Sequence, residues 1–247
     1  MTGLVYVPDR VALITGASRG LGSTLAQFLA RQGYSVIVNA RDSGALAQAA
    51  REIAIAGVVV LPVPGDVADE STRSALNDAA TKLGRLDLLV NNASELGPSP
   101  LPRLSELRAD DFERVLRVNV LAPLALTQRL MPLLGAVRGR VVNISSDAAL
   151  GGYPGWGAYG ASKAALDLVS LTLAHELKGS GVSVVSVDPG DMRTSMHQAA
   201  FPGEDISDRP LPEITLPFWA WLLNQDPDHV TGHRFQARSD RWEISEP

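Results

Sequence analysis

Short runs of β-branched and other apolar residues alternate along the chain with longer segments rich in alanine and leucine. The apolar runs are VALIT (11–15), SVIVNA (35–40), VVVLPV (58–63), LDLLVNN (86–92), RVVNIS (140–145) and VSVVSVD (182–188), and they predict six strands. Helical patterns lie between them at about 20–32, 43–56, 70–83, 105–135 and 159–178. Strands that are apolar almost throughout, rather than at every second position, bury both faces, as in a parallel sheet covered by helices. Right-handed crossovers then wind the alternation into a doubly wound parallel α/β sheet. No repeat, low-complexity linker or charge block interrupts the pattern, so one domain over 1–247 is expected. The rhythm breaks at 191–217, where Pro202, Pro210, Pro212 and Pro217 crowd among polar residues. A segment of that length without regular structure is expected to serve as a substrate flap.

Composition narrows the class. A chain of 247 residues with 45% hydrophobic content can bury a large core. A net charge of −5 argues against a broad nucleic-acid or anionic-membrane surface. The absence of cysteine excludes disulfides, thiol catalysis and Cys-ligated zinc. The start, MTGLVYVPDR, lacks a basic region followed by a long apolar run, and VLAPLALTQRLMPLL is cut by Arg129 and two prolines. A soluble cytoplasmic protein is therefore expected, without nucleic-acid or membrane partners.

The first predicted strand runs directly into Gly16-Ala17-Ser18-Arg19-Gly20-Leu21-Gly22 and then a helix. Glycines at such a turn permit tight backbone geometry and close approach of a phosphate, while the helix N-terminus offers free N–H groups. The spacing is Gly-x3-Gly-x-Gly, and Leu25 stands where a third glycine of the Gly-x-Gly-x-x-Gly fingerprint would fall. Read alone, the turn is either helix–strand packing or a dinucleotide site; its place after the first strand favours the latter.

In GAYGASKAAL, Tyr159 and Lys163 are four residues apart, so a helix sets them on one face. A free tyrosine titrates near about 10, and a neighbouring ammonium is expected to lower that value and make Tyr159 a workable general acid or base. Ser146, at the end of RVVNIS, falls on the side of the sheet where strand carboxyl ends form a ligand crevice. There it could donate a hydrogen bond to a substrate oxygen. An isolated Tyr-x3-Lys also describes an ordinary surface helix.

TGASRGLG (15–22), NNA (91–93), Asn119, Ser146, and Tyr159 with Lys163 follow one another in an order and spacing that resembles the short-chain dehydrogenase/reductase family. The resemblance runs from Val11 to about Gly232, takes in Asp66 of GDVAD and the run DPGDMRT (188–194), and points to the compact subgroup of about 250 residues. It implies a Rossmann-type domain that binds a nicotinamide cofactor across the strand ends. Gly16, Ser18, Arg19, Gly20 and Leu21 would then hold the adenosine and pyrophosphate. Asp66 and Val67 would flank the adenine, and Asn92 and Ala93 would line the middle. Pro189, Gly190 and Thr194 would meet the nicotinamide half. Tyr159 would be the proton donor for carbonyl reduction, Lys163 would bind the nicotinamide ribose and lower the tyrosine pKa, and Ser146 would polarise the carbonyl. Asn119 would hold a water in a proton relay. The implied activity interconverts a small-molecule ketone or aldehyde and its alcohol, and the implied assembly is a homo-oligomer, a dimer or tetramer. A catalytically silent cofactor-binding sensor or scaffold of the same fold is the alternative, and its usual sign, loss of Tyr159, Lys163 or Ser146, is absent.

The second predicted strand ends in NARD. In the family's register its acidic position falls on Ala40, followed by Arg41. An arginine there accommodates a 2′-phosphate, and Arg19 is a second cation in reach, so NADPH is favoured over NADH. Asp42, the competing acidic candidate, is expected to cap the next helix instead. Two features depart from the family pattern: Ser94 makes NNAS of the common NNAG, and VTGHRFQARSDRWEISEP replaces the usual C-terminal strand ending. His229 and His233 have the spacing of helix-borne metal ligands, but Thr231-Gly232 argues against a helix, so no metal is expected. Phe218, Trp219 and Trp221 are expected in the core or an interface. Trp156, Met192, Met196 and Phe201 are the candidates for substrate contact.

Overall fold

The computed structural model describes residues 8–242 and 244. Strands form on each of the apolar runs: β1 (Val11–Thr15), β2 (Ser35–Ala40), β3 (Val60–Pro64), β4 (Leu88–Asn91), β5 (Arg140–Ile144) and β6 (Ser183–Asp188). A seventh, β7 (Arg234–Gln236), continues the sheet in the order β3-β2-β1-β4-β5-β6-β7, with every pairing parallel. The expected doubly wound α/β fold is the one observed. The two-residue period of a strand divides the core in two. Ala12, Ile14, Val36 and Val38 face α1 (Gly20–Arg31) and α2 (Ser43–Ala54). Val11, Leu13 and Ile37 face the opposite side, against α3 (Glu70–Leu83) and a long helical segment beyond β4. That is why these strands read as continuous apolar runs.

The chain winds from β1 outward to β2 and β3, then returns to place β4 on the other side of β1. At this reversal the loops leaving β1 and β4 part, and a crevice opens at their carboxyl ends.

The helix expected over 105–135 begins later and is divided. α4 (Ala109–Leu116) passes through one π-turn, Arg117–Leu121, into α5 (Ala122–Ala136). The Ala122 N–H reaches back five residues to the Arg117 carbonyl, and Pro123 has no N–H for the Asn119 carbonyl four residues earlier. Asn119 thus sits, fully buried, where the helical ladder changes step. The Tyr159 helix, α6 (Gly157–Glu176), starts two residues before its expected boundary.

The 191–217 segment is less irregular than its prolines suggest. It holds α7 (Ser195–Ala200) and a 3₁₀ turn at Pro212–Thr215 that leads into α8 (Leu216–Leu223). The Thr194 hydroxyl caps α7 by accepting the His197 N–H, which stabilises a helix too short to rely on propensity. Phe218 and Trp219 are buried as expected, and Phe218, Trp221, Phe235 and Trp242 form one aromatic cluster with centroids 5.4–5.8 Å apart. Anchoring Phe235 there holds β7 beside β6, so a strand exists at the C-terminal end despite the unusual sequence. After β6, α9 (Pro227–Val230) ends before Thr231, so His229 and His233 do not share a helix face. No helix among the described residues is long and apolar enough to cross a membrane.

Candidate active site

A crevice of about 790 Å³ lies along the carboxyl ends of the strands. Its floor is the glycine turn between β1 and α1. Gly16 has φ of +67°, and a Cβ there would stand 2.9 Å from the Ala93 Cα. At Gly22 a Cβ would come within 2.4 Å of the Gly16 carbonyl oxygen. The Asn92 amide braces the turn by donating to the Thr15 and Gly16 carbonyls at 2.8 and 3.1 Å, and the Thr15 hydroxyl accepts the N–H groups of Asn92 and Ala93. Arg19, in extended conformation before α1, provides no side-chain cap, so no side chain competes for the first N–H groups of the helix.

The expected site residues converge on this crevice. Gly16, Ser18, Arg19, Gly20 and Leu21 line one end with Arg41, Asp66 and Val67. Asn92 and Ala93 line it beside the turn, Thr194 faces Gly20 of the turn, and Ser146, Tyr159, Lys163, Pro189 and Gly190 line it beyond β5 and β6. Asn119 alone of the set lies behind the wall. Asp42 caps α2 by accepting the Ala45 N–H at 3.0 Å, as expected, and Arg41 lines the crevice beside it. The Asp66 carboxylate pairs with Arg114 and accepts the Ala68 N–H at 2.9 Å. Burial pushes its pKa up, but these two hydrogen bonds and the charges of Arg114 and Arg41 outweigh it and hold the carboxyl below its usual range.

Tyr159 and Lys163 share one face of α6, with the ammonium 5.4 Å from the phenol ring centroid. Lys163 is 1% exposed, and its Nζ donates to the Ile144 carbonyl at 2.7 Å. Burial depresses its pKa to about 8, against the opposing charge of Asp167. The expected lowering of the tyrosine pKa is not the net outcome in this structure. Burial pushes the Tyr159 phenol up to about 12, and the neighbouring hydroxyls of Ser94 and Ser146 offset only part of that rise. A phenol in such surroundings stays protonated at neutral pH, as a proton donor must. Ser146 lies two residues beyond β5, where its hydroxyl caps the turn Asp147–Ala149 by accepting the Ala148 N–H.

Asn119 does not present its amide to the crevice. Its Oδ1 accepts the Glu95 N–H at 2.7 Å and the Ser94 hydroxyl at 3.2 Å, and its Nδ2 donates to the Glu95 carbonyl and the Ser162 hydroxyl at 2.8 and 2.9 Å. The side chain is therefore a clamp on the loop after β4, and a water would have to use its main-chain carbonyl instead.

Two residues near the site escaped the sequence reading. Ser94 bridges toward Asn119 and the phenol of Tyr159, a role the NNAS departure flagged without identifying. Arg234 of β7 donates to the Ser146 carbonyl at 2.8 Å and to Asp167 at 2.9 Å, and pairs with Asp188 at 3.4 Å, so it fixes the backbone that carries Ser146. Nothing near Arg234 in the sequence signals this role, because its partners lie 46 to 88 residues away.

Beyond Tyr159 the crevice has an apolar wall, with His197 packed on Phe201 at 4.9 Å. Trp156 meets Tyr159 edge to face at 5.7 Å and Phe201 at 6.0 Å, with Leu96, Ala148 and Ala200 buried alongside. Met196 lines this part half-buried. Met192 also borders the crevice, but it is buried and packs with the core on the α1 side of the sheet. Among the described residues no cluster of His, Asp or Glu could hold a metal ion.

The family model for short chain dehydrogenases matches residues 10–205. The uncharacterized oxidoreductase YciK of Escherichia coli K12 is 33% identical over 244 residues, 94% of this chain and 93% of that one. A crystal structure described as a short chain dehydrogenase of Shigella flexneri, complexed with NADP, is 34% identical with a TM-score of 0.86, covering 94% of this chain and 98% of that one. Another from Escherichia coli CFT073, complexed with NADPH, is 34% identical with a TM-score of 0.84, again covering 94% and 98%.

Proposed function

The chain belongs to the short chain dehydrogenase family of oxidoreductases, and within it we propose an NADPH-dependent enzyme that reduces a ketone or aldehyde to an alcohol, or runs the reverse. The observation that carries the proposal is the convergence of Ser146, Tyr159 and Lys163 on one end of a crevice whose other end is the glycine turn.

The residues fit a dinucleotide. Gly16 and Gly22 let the turn pack tightly on itself and on Asn92 and Ala93, the start of α1 offers backbone donors suited to a diphosphate, and Arg19 and Arg41 are cations suited to a 2′-phosphate. The complexes of the two similar structures with NADP and NADPH support the same choice. When bound, a reduced nicotinamide supplies the hydride. The protein's share is orientation and proton chemistry. Ser146 donates a hydrogen bond to the substrate oxygen, and Tyr159, kept protonated by burial, delivers its proton to that oxygen as negative charge develops on it. Lys163, fixed by the Ile144 carbonyl, places a positive charge beside the phenol that favours the phenolate left behind. A water on the main-chain carbonyl of Asn119, which Pro123 leaves without a helical donor four residues on, would return the proton. The wall formed by Trp156, Phe201 and Leu96 suits a substrate with an apolar group next to its carbonyl.

The test is NADPH oxidation with a panel of ketones and aldehydes, using the wild type and Tyr159→Phe. The wild type should turn over at least one carbonyl, and the variant should lose about 100-fold or more in rate. Equal rates would refute the assigned proton donor. Binding of NADPH without turnover by either protein, across the panel, would favour the silent sensor.

A further inference from the structure

Strands β2 and β4 are both neighbours of β1, and adjacent strands lie about 5 Å apart, so the loops leaving β2 and β4 stand about 10 Å apart with the glycine turn between them. Arg41 is the first residue beyond β2, and Glu95 is the fourth beyond β4. Their side chains meet at 3.2 Å, so the ion pair spans the carboxyl end of β1 from one side to the other. Both residues line the crevice, at the end where the turn and Asp66 lie.

The two partners are not equally free. The Glu95 side chain is 22% exposed and that of Arg41 59%. The backbone of Glu95 is held from both sides, since its N–H donates to Asn119 Oδ1 at 2.7 Å and its carbonyl accepts from Asn119 Nδ2 at 2.8 Å. The backbone that carries the carboxylate is thus anchored, and Arg41 is the longer and more exposed partner. The second guanidinium nearby, Arg114, is engaged by Asp66. Arg41 and Arg114 therefore each have a carboxylate partner, whereas Arg19, the other cation lining this end, is in no ion pair among the described residues, and a 2′-phosphate approaching Arg41 has to compete with Glu95 for it.

We propose that Glu95 is a cofactor-selectivity residue: its carboxylate competes for Arg41 and reduces the preference that Arg41 gives to a 2′-phosphorylated dinucleotide. The inference rests on the reading that this crevice binds a nicotinamide dinucleotide with Arg41 at the 2′ position. An unphosphorylated ribose makes no demand on the guanidinium and is indifferent to the competition. Glu95 thereby links the discriminating end of the crevice to Asn119, because the residue that pairs with Arg41 is the one that Asn119 clamps.

The test is calorimetric binding of 2′,5′-ADP, 5′-AMP, NADPH and NADH to the wild type, Glu95→Gln, Arg41→Ala and the double variant. Glutamine keeps the shape and the main-chain bonds to Asn119 and removes the charge. Glu95→Gln should tighten 2′,5′-ADP and NADPH by about 3- to 10-fold, the scale of one screened charge near the surface, and leave 5′-AMP and NADH within about twofold. The gain should shrink at high salt and in the Arg41→Ala background. If Arg41→Ala weakens 2′,5′-ADP while Glu95→Gln leaves it unchanged or weaker, the selectivity role of Glu95 is refuted and the cofactor reading stands. If Arg41→Ala leaves 2′,5′-ADP and NADPH unchanged, the reading of Arg41 fails and this proposal fails with it.

Discussion

Replacing Lys163 with methionine isolates the consequence of burying a charge beside the phenol. The ammonium is 1% exposed, with the Ile144 carbonyl as its hydrogen-bond acceptor, and its pKa falls from the ordinary 10.5 to about 8. A base whose folded pKa is depressed binds its proton less readily in the folded chain than in the unfolded one. Below about pH 8 the full penalty opposes folding, and it is relieved as pH rises toward 10.5, where the unfolded lysine also loses its proton. The linkage integral gives a penalty of about 3 kcal/mol at about pH 7 and about 1 kcal/mol at about pH 9.5. Wild-type stability should therefore rise by about 2 kcal/mol relative to Lys163→Met across that interval. The variant loses the titration but also leaves the Ile144 carbonyl without its donor, which costs about 1–3 kcal/mol at every pH. The pH dependence is accordingly the diagnostic quantity, and the offset between the curves is not. Urea unfolding at about pH 7, 8, 9 and 9.5 measures it, and titrating groups remote from Lys163 cancel between the two proteins. Parallel stability profiles would refute the argument that Lys163 is held as a depressed, buried base.

Two further substitutions probe the glycine turn and the loop after β4. Gly22→Ala places a Cβ 2.4 Å from a backbone oxygen and 2.5 Å from Asn92 Nδ2, so it should destabilise the fold by about 1–3 kcal/mol in urea and weaken NADPH binding; wild-type stability with normal binding would refute the close packing of the turn. Ser94→Gly removes a hydroxyl that favours the Tyr159 anion, so the pH profile of alcohol oxidation, which needs the phenolate, should move to higher pH; an unmoved profile would show that Ser94 does not act on the phenol.

The sequence by itself carried the doubly wound fold and most of the candidate site, because both rest on local signals. Strands such as VALIT and SVIVNA are buried at every position and apolar at most since helices cover both faces of the sheet, and that pattern is visible without the helices. The three glycines sit within seven residues, and Tyr159 and Lys163 are joined by the helical repeat itself. Asp42 as a helix cap was equally local. Tertiary structure decided what depends on distant residues. The pairing of Arg41 with Glu95 crosses 54 residues and exists because β4 returns beside β1. Arg234 reaches Ser146 across 88 residues because an aromatic cluster holds β7 in place. The Asn119 amide turned out to clamp the loop after β4 rather than face the crevice. The direction of the Tyr159 shift reversed for a related reason. An adjacent lysine can be read from the sequence, but desolvation sums over everything packed around the phenol, and only the folded chain supplies those neighbours.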